Sequence, residues 1–216
     1  IGTEGTIDLG EWTDEDKAHA VPASASHNIL IEDCDLHDVV HQQGNGIVTQ
    51  PCVFNVTIRR CRVWNNGKYG IAFKGSGNFK VDRCAVWGNR ETSMYCRGFG
   101  GDSGAARPPA PNDFLITNSI FIAPADQSGG SALNWRENCS IAAYNCTIVG
   151  LRNTIYKQSG GYAWLLGNDH AIPCVAALRN CIVVGLNNAP AVRFYTPNGL
   201  AYPINVRYEA GTNLFY

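Results

Sequence analysis

Six segments of the chain align without a gap: NILIEDCDL, NVTIRRCRV, NFKVDRCAV, DFLITNSIF, SIAAYNCTI and VAALRNCIV. A recurring cysteine sets their register, in a column of Cys34, Cys61, Cys84, Ser119, Cys146 and Cys181 spaced by 27, 23, 35, 27 and 35 residues. Three positions earlier stand Ile31, Ile58, Val81, Ile116, Ala143 and Leu178; two positions later stand Leu36, Val63, Val86, Phe121, Ile148 and Val183. Every member of both flanking columns is apolar. Repetition at this period marks a solenoid, in which no unit buries its apolar face alone and stacked neighbours share one continuous core.

Inward-pointing residues of a strand recur every second position, yet the earlier apolar column and the cysteine column are three apart. The strand therefore bends between them. In the later repeats the residue before the column is Asn118, Asn145 or Asn180. Asparagine tolerates the left-handed conformation that a sharp corner needs. A ladder of stacked asparagines at one corner is the expectation. This pattern resembles the right-handed parallel β-helix superfamily, the pectate-lyase-like fold, over residues 27 to 195. The resemblance implies an all-β solenoid of about seven coils, a single domain over residues 1–216 and a segment of a longer solenoid.

A second set of short strands occurs once per coil: GIVTQ (46–50), GIAFK (70–74), SMYCR (93–97), ALNWR (132–136), NTIYK (153–157) and AVRFY (191–195). About seven coils at about 4.8 Å each make a rod about 35 Å long.

A formal net charge of -1, with 16% charged residues, gives no global field toward nucleic acid or an anionic membrane, so any electrostatic function is local. No membrane-spanning segment and no charged-then-apolar leader is visible. No amphipathic helix caps either end, which predicts a fragment or end-to-end self-association.

Nine cysteines without a CxxC pair leave three readings: thiols that fill the core, disulfides between coils, or a metal site. Cys139 and Cys174 each precede their column cysteine by seven residues and are expected to lie over one another, within disulfide reach. Asn55, Asn138 and Asn145 begin N-glycosylation sequons. Asn145, on the corner ladder, is expected to be inaccessible, and Asn55 to point outward.

With Ile71 and Phe73 inward, alternation places Gln50, Lys74, Arg97, Arg136, Lys157 and Tyr195 in one outward column. Four consecutive coils then present a cation at about 5 Å or small multiples of it, which suits a polymer with regularly spaced carboxylates. An acidic polysaccharide is the candidate partner; a solvated sheet face is the competing reading. Tyr95, Asn134 and Arg193 would widen the polar surface. The two longest coils gain their length directly after this face, through residues 98–112 and 158–172, bringing Asp102, Asp169, His170, Tyr162 and Trp164 toward it.

In the resembling superfamily, polysaccharide lyases and glycoside hydrolases place their sites on such a face. A lyase needs a base for the proton beside the uronate carboxyl and a cation for the charge that develops, and Lys74, Arg97, Arg136, Lys157 and His170 are the candidate catalytic residues. Gln50, Tyr95, Asp102, Asn134, Asp169, Arg193 and Tyr195 are the candidate substrate-binding residues. The chain departs from the enzyme families in lacking clustered aspartates and an acidic calcium cluster. Paired carboxylates for glycoside hydrolysis would have to come from loops, for example Asp102 with Asp169. Asp35, His37, Asp38 and His41 crowd one turn, either as metal ligands or as a solvated turn. No metal site and no cofactor is expected, with calcium left open. Two functions follow: an extracellular or cell-surface protein that binds and cleaves an acidic polysaccharide, or a non-catalytic structural or adhesive module of a fibre or spike.

Overall fold

The structure, a computed structural model, describes residues 26–49, 53–74, 77–97, 112–124, 130–136, 139–150, 153–158, 174–186, 191–195 and 206–215. The first coil runs through β1 (Ser26–Glu32), β2 (Asp35–His37) and β3 (Ile47–Thr49), and the second through β4 (Val53–Arg59), β5 (Arg62–Trp64) and β6 (Tyr69–Lys74). The third comprises β7 (Gly77–Asp82), β8 (Ala85–Trp87) and β9 (Thr92–Arg97); the fourth, β10 (Asn112–Thr117), β11 (Ile120–Ile122) and β12 (Ser131–Arg136). Then come β13 (Cys139–Tyr144), β14 (Thr147–Gly150) and β15 (Asn153–Gln158), followed by β16 (Cys174–Arg179), β17 (Ile182–Gly185) and β18 (Val192–Tyr195). The last turn contributes β19 (Val206–Ala210) and β20 (Leu214–Phe215).

Each coil adds one strand to each sheet, so sheet neighbours lie three strands apart in the chain. The first sheet has the order β1-β4-β7-β10-β13-β16-β19, the second β2-β5-β8-β11-β14-β17-β20, and the third β18-β15-β12-β9-β6-β3. Both apolar columns stack as the repeat predicts. Ile31, Ile58, Val81, Ile116, Ala143 and Leu178 pair in succession along the first sheet. Leu36, Val63, Val86, Phe121, Ile148 and Val183 do so along the second. The columns from Ile58 and Val63 onward lie in the buried core, where each Val, Ile, Leu or Phe side chain contributes about 1.5 to 3 kcal/mol. Phe79 links sheets inside the rod, its ring centroid 4.0 Å from Phe73 and 5.3 Å from Phe114.

A seventh repeat escaped the sequence alignment. Ala210 pairs with Leu178 and Phe215 with Val183, which puts Asn213 in the cysteine position. The column thus holds small polar side chains rather than cysteine alone, and the corner explains why. Cys61 Sγ donates to the carbonyls of Arg59 (3.3 Å) and Ile31 (3.7 Å), and Cys84 Sγ to those of Asp82 (3.4 Å) and Ile58 (3.7 Å). Ser119 Oγ replaces the thiol, donating to the Thr117 carbonyl at 2.6 Å and accepting from the Cys84 amide at 3.0 Å. Asn213 likewise accepts from the Cys181 amide at 2.8 Å and donates to the Leu178 carbonyl at 2.9 Å. Cys34, Cys61, Cys84, Cys146 and Cys181 are free thiols. The side chains of Cys139 and Cys174 lie outside the described residues.

The predicted corner is present, and it is wider than asparagine. Asn118, Asn145 and Asn180 have φ of 51°, 54° and 57°, and Asp33, Arg60 and Arg83 occupy the same place at 54°, 53° and 52°. Asn145 Nδ2 donates to Asn118 Oδ1 at 3.2 Å and Asn180 Nδ2 to Asn145 Oδ1 at 2.9 Å. The ladder leaves Asn145 exposed, which corrects the expectation that its sequon is inaccessible. A second column of left-handed residues interrupts the first sheet at Asn28, Asn55 and Asn78, whose amides are likewise hydrogen-bonded one coil to the next. Asn55 is exposed, as expected.

Coils one and two are sutured by charge. Arg59 binds Glu32, Arg60 binds Asp33 at 2.7 Å, and Arg62 binds Asp35 at 2.6 Å. Hydrogen bonds from these guanidinium groups hold all three carboxyls below the ordinary carboxylate range. Among the described residues no helix is long and apolar enough to cross a membrane.

Candidate functional site

The outward face of the third sheet is built by alternation about a fixed inward set. Ile47, Ile71, Met94 and Leu133 belong to the main core, as do Phe73 and Cys96. The residues between them point to the other side. One register column of alternate positions runs through Val48, Ala72, Tyr95, Asn134, Tyr156 and Arg193, and the next begins at Lys74 and continues through Arg97, Arg136, Gln158 and Tyr195.

The register differs from the sequence alignment at one coil. Arg136 pairs with Gln158, whereas Lys157 pairs with Trp135 and Phe194 and falls in the column of Phe73 and Cys96. A slip of one residue reverses the face of every position in a strand. The physical determinant is Ile155, which pairs with Leu133 and Val192 and keeps the aliphatic column continuous. The cationic run is therefore Lys74, Arg97 and Arg136, one per coil on three successive coils, followed by Gln158. Adjacent members stand at the strand spacing of about 4.8 Å.

The column beside it is covered. Val48, Ala72 and Tyr95 form a second apolar cluster, and Tyr69 packs against it. The Tyr69 and Tyr95 rings stack with centroids 4.8 Å apart, and Lys68 Nζ lies 5.2 Å from the Tyr69 centroid. Tyr95 is 5% exposed and Asn134 8%. Asn134 Oδ1 and Ser131 Oγ are buried without a hydrogen-bond partner among the described residues. A buried polar atom left unpaired costs about 1 to 3 kcal/mol, so such an atom calls for an explanation.

Of the other residues singled out in the sequence, Arg97, Arg136, Lys157, Arg193 and Tyr195 are placed by strand register. Gln50, Asp102, Tyr162, Trp164, Asp169 and His170 lie outside the described residues. The crowded turn after the first repeat resolves into separate pairs. Asp35 is held by Arg62, and Asp38 accepts from His37 Nδ1 at 2.7 Å and from the Asn65 amide. No group of three or more His, Cys, Asp or Glu side chains is placed to hold a metal among the described residues.

One arrangement was legible in the aligned repeats but was not drawn from them. Three positions after the cysteine column stand His37, Trp64 and Trp87, and their rings stack on the outer face of the second sheet with centroids 4.1 Å and 5.1 Å apart. Farther along that face Ile120, Ile122, Ile182 and Leu214 are exposed.

A family model described as a right handed beta helix region matches residues 13–170. No curated protein and no solved structure matches the chain. With three parallel sheets advancing one strand per coil, and a family match over more than half of its length, the chain belongs to the right-handed β-helix family.

Proposed function

We propose that this β-helix binds an acidic polysaccharide along the outward face of its third sheet, as an extracellular or cell-surface protein, and that it cleaves the polymer there. The single observation behind this reading is the in-register run Lys74, Arg97 and Arg136 on three successive coils. A row of cations at a fixed short spacing favours a polymer that repeats its anionic groups, because several charge-assisted contacts then form without bending the ligand. Cleavage by elimination needs a base and a stabilising cation, and the same three residues with His170 are the candidates.

The test is incubation of the chain with a panel of uronate polysaccharides, with and without calcium, following unsaturated products and reducing ends together. Product that disappears in Lys74, Arg97 or Arg136 variants supports the enzyme. Binding without product leaves a carbohydrate-binding solenoid. Neither binding nor product removes the polysaccharide. A second reading, a non-catalytic structural or adhesive module, draws on the exposed Ile120, Ile122, Ile182 and Leu214 of the second sheet, since uncharged surface of this kind commonly marks a contact with other chains. Its test is the sedimentation behaviour of the purified chain over a concentration series.

A further inference from the structure

We infer that Cys34 and Cys61 bind a soft monovalent metal ion of the cuprous kind, held in line between their two sulfurs, with Cys84 continuing the column one coil farther. The three side chains repeat one arrangement. Cys34 Sγ lies 3.1 Å from the carbonyl oxygen of Glu32, Cys61 Sγ 3.3 Å from that of Arg59 and Cys84 Sγ 3.4 Å from that of Asp82, each two residues back in its own coil. The backbone is in step as well, the Arg62 amide donating to the Cys34 carbonyl at 2.9 Å and the Ala85 amide to that of Cys61 at 3.0 Å. Side chains of equal orientation on stacked coils repeat at the strand spacing, so successive sulfurs stand about 4.8 Å apart.

That spacing separates the chemistries open to paired thiols. A disulfide needs Cβ atoms about 3.5 to 4.5 Å apart and sulfurs about 2.05 Å apart, so oxidation would have to draw the coils together. Two metal–thiolate bonds of about 2.3 Å placed end to end span about 4.6 Å, which fits the column as it stands. A structural zinc takes four ligands, and among the described residues no three His, Cys, Asp or Glu side chains converge. Thiolates select the soft cuprous ion, for which two sulfurs in line suffice. Binding breaks the S–H bonds of Cys34 and Cys61, forms two sulfur–metal bonds and releases both protons to solvent. Hydrogen bonds from Cys84 and Cys34 hold the Cys61 thiol below the ordinary thiol range, which favours that release. Access is through Cys34, which is half-exposed. Cys146 and Cys181 repeat the same stacking, with Sγ 3.2 Å and 3.3 Å from the carbonyls two residues back, but they are 2% and 1% exposed and have Ser119 and Asn213 as their column neighbours. That pair offers no sulfur to solvent and is the internal control.

The experiment gives the reduced, folded chain one equivalent of cuprous ion under anaerobic conditions, in competition with the cuprous chelator bathocuproine disulfonate. Cys34→Ser and Cys61→Ser are each expected to weaken copper retention by more than about a hundredfold, beyond the effect of losing an outer-shell partner, while Cys181→Ser leaves it unchanged. Copper X-ray absorption of the wild-type complex should show two sulfur neighbours. Serine already fills this column at Ser119, so the variants are expected to fold, and Cys34→Ser carries the test if Cys61→Ser does not. Absence of copper from the wild-type chain, unchanged retention in the Cys34 and Cys61 variants, an equal loss in Cys181→Ser, or three or more sulfur neighbours would each overturn the inference.

Discussion

Asn145 stacks on Asn118 across one coil, its Nδ2 donating to the Asn118 Oδ1 at 3.2 Å while both backbones hold φ between 51° and 54°. The left-handed conformation and the ladder hydrogen bond are separate contributions, and substitutions divide them. Asn145→Gly keeps the conformation and loses the side-chain bonds, whereas Asn145→Ala loses both. We expect alanine to be the more destabilising by about 1 kcal/mol, seen as a lower urea midpoint. Equal midpoints would show that the ladder, not the backbone, holds the corner.

Ile58 pairs with Ile31 and with Val81 and is buried inside the rod. Ile58→Asp places an unpaired carboxylate among apolar neighbours, a change costing several kcal/mol. The variant is expected to lose cooperative unfolding near the wild-type melting temperature. A retained transition at an unchanged temperature would contradict the stacking.

The Arg59, Arg60 and Arg62 contacts depress the carboxyls of Glu32, Asp33 and Asp35 in the folded chain. A depressed pKa contributes stability above the unfolded value, about 4, that is lost as pH falls through the folded value. The melting temperature should therefore drop below about pH 4, and the drop should shrink in a Glu32→Gln, Asp33→Asn, Asp35→Asn variant. Asp33 and Asp35 are exposed and Glu32 is half-buried, so the effect should also weaken in high salt.

Cys84 hydrogen-bonds its corner much as Ser119 does one coil later, and the neighbouring Cys61 thiol together with burial holds its own thiol well above the ordinary thiol range. Cys84→Ser should be tolerated with a loss under about 1.5 kcal/mol, while Cys84→Val, which cannot donate, should cost more. Iodoacetamide at mildly alkaline pH should modify half-exposed Cys34 before Cys61, Cys84, Cys146 or Cys181, as mass spectrometry of the native chain would show.

The corrected register makes Lys157 the discriminating position for the cation column. Lys74→Ala, Arg97→Ala and Arg136→Ala should each weaken uronate binding and reduce its salt dependence, whereas Lys157→Ala should leave both unchanged. A titration at two ionic strengths separates these outcomes.

The sequence by itself determined the coil. The two apolar columns and the corner between them follow from alternation and from their fixed offset to Cys34, Cys61, Cys84, Ser119, Cys146 and Cys181, and the one third-sheet strand per coil is marked by its own short apolar run. These are local properties, decided by which residues accept a left-handed backbone and which must leave water. Tertiary structure decided what depends on the partner strand. Lys157 could not be placed by its own strand, because NTIYK alternates acceptably in either phase and only the pairing of Ile155 with Leu133 and Val192 selects one. Arg60 and Arg83 occupy the corner without the residue type that announces it. The seventh repeat was hidden because Asn213 replaces the cysteine that marked the others, and the burial of Asn134 on an outward position depends on what packs over the sheet. Periodicity along a chain reports the face that a residue takes within its own strand; which neighbour it meets, and whether that face is open, is fixed only when the coils stack.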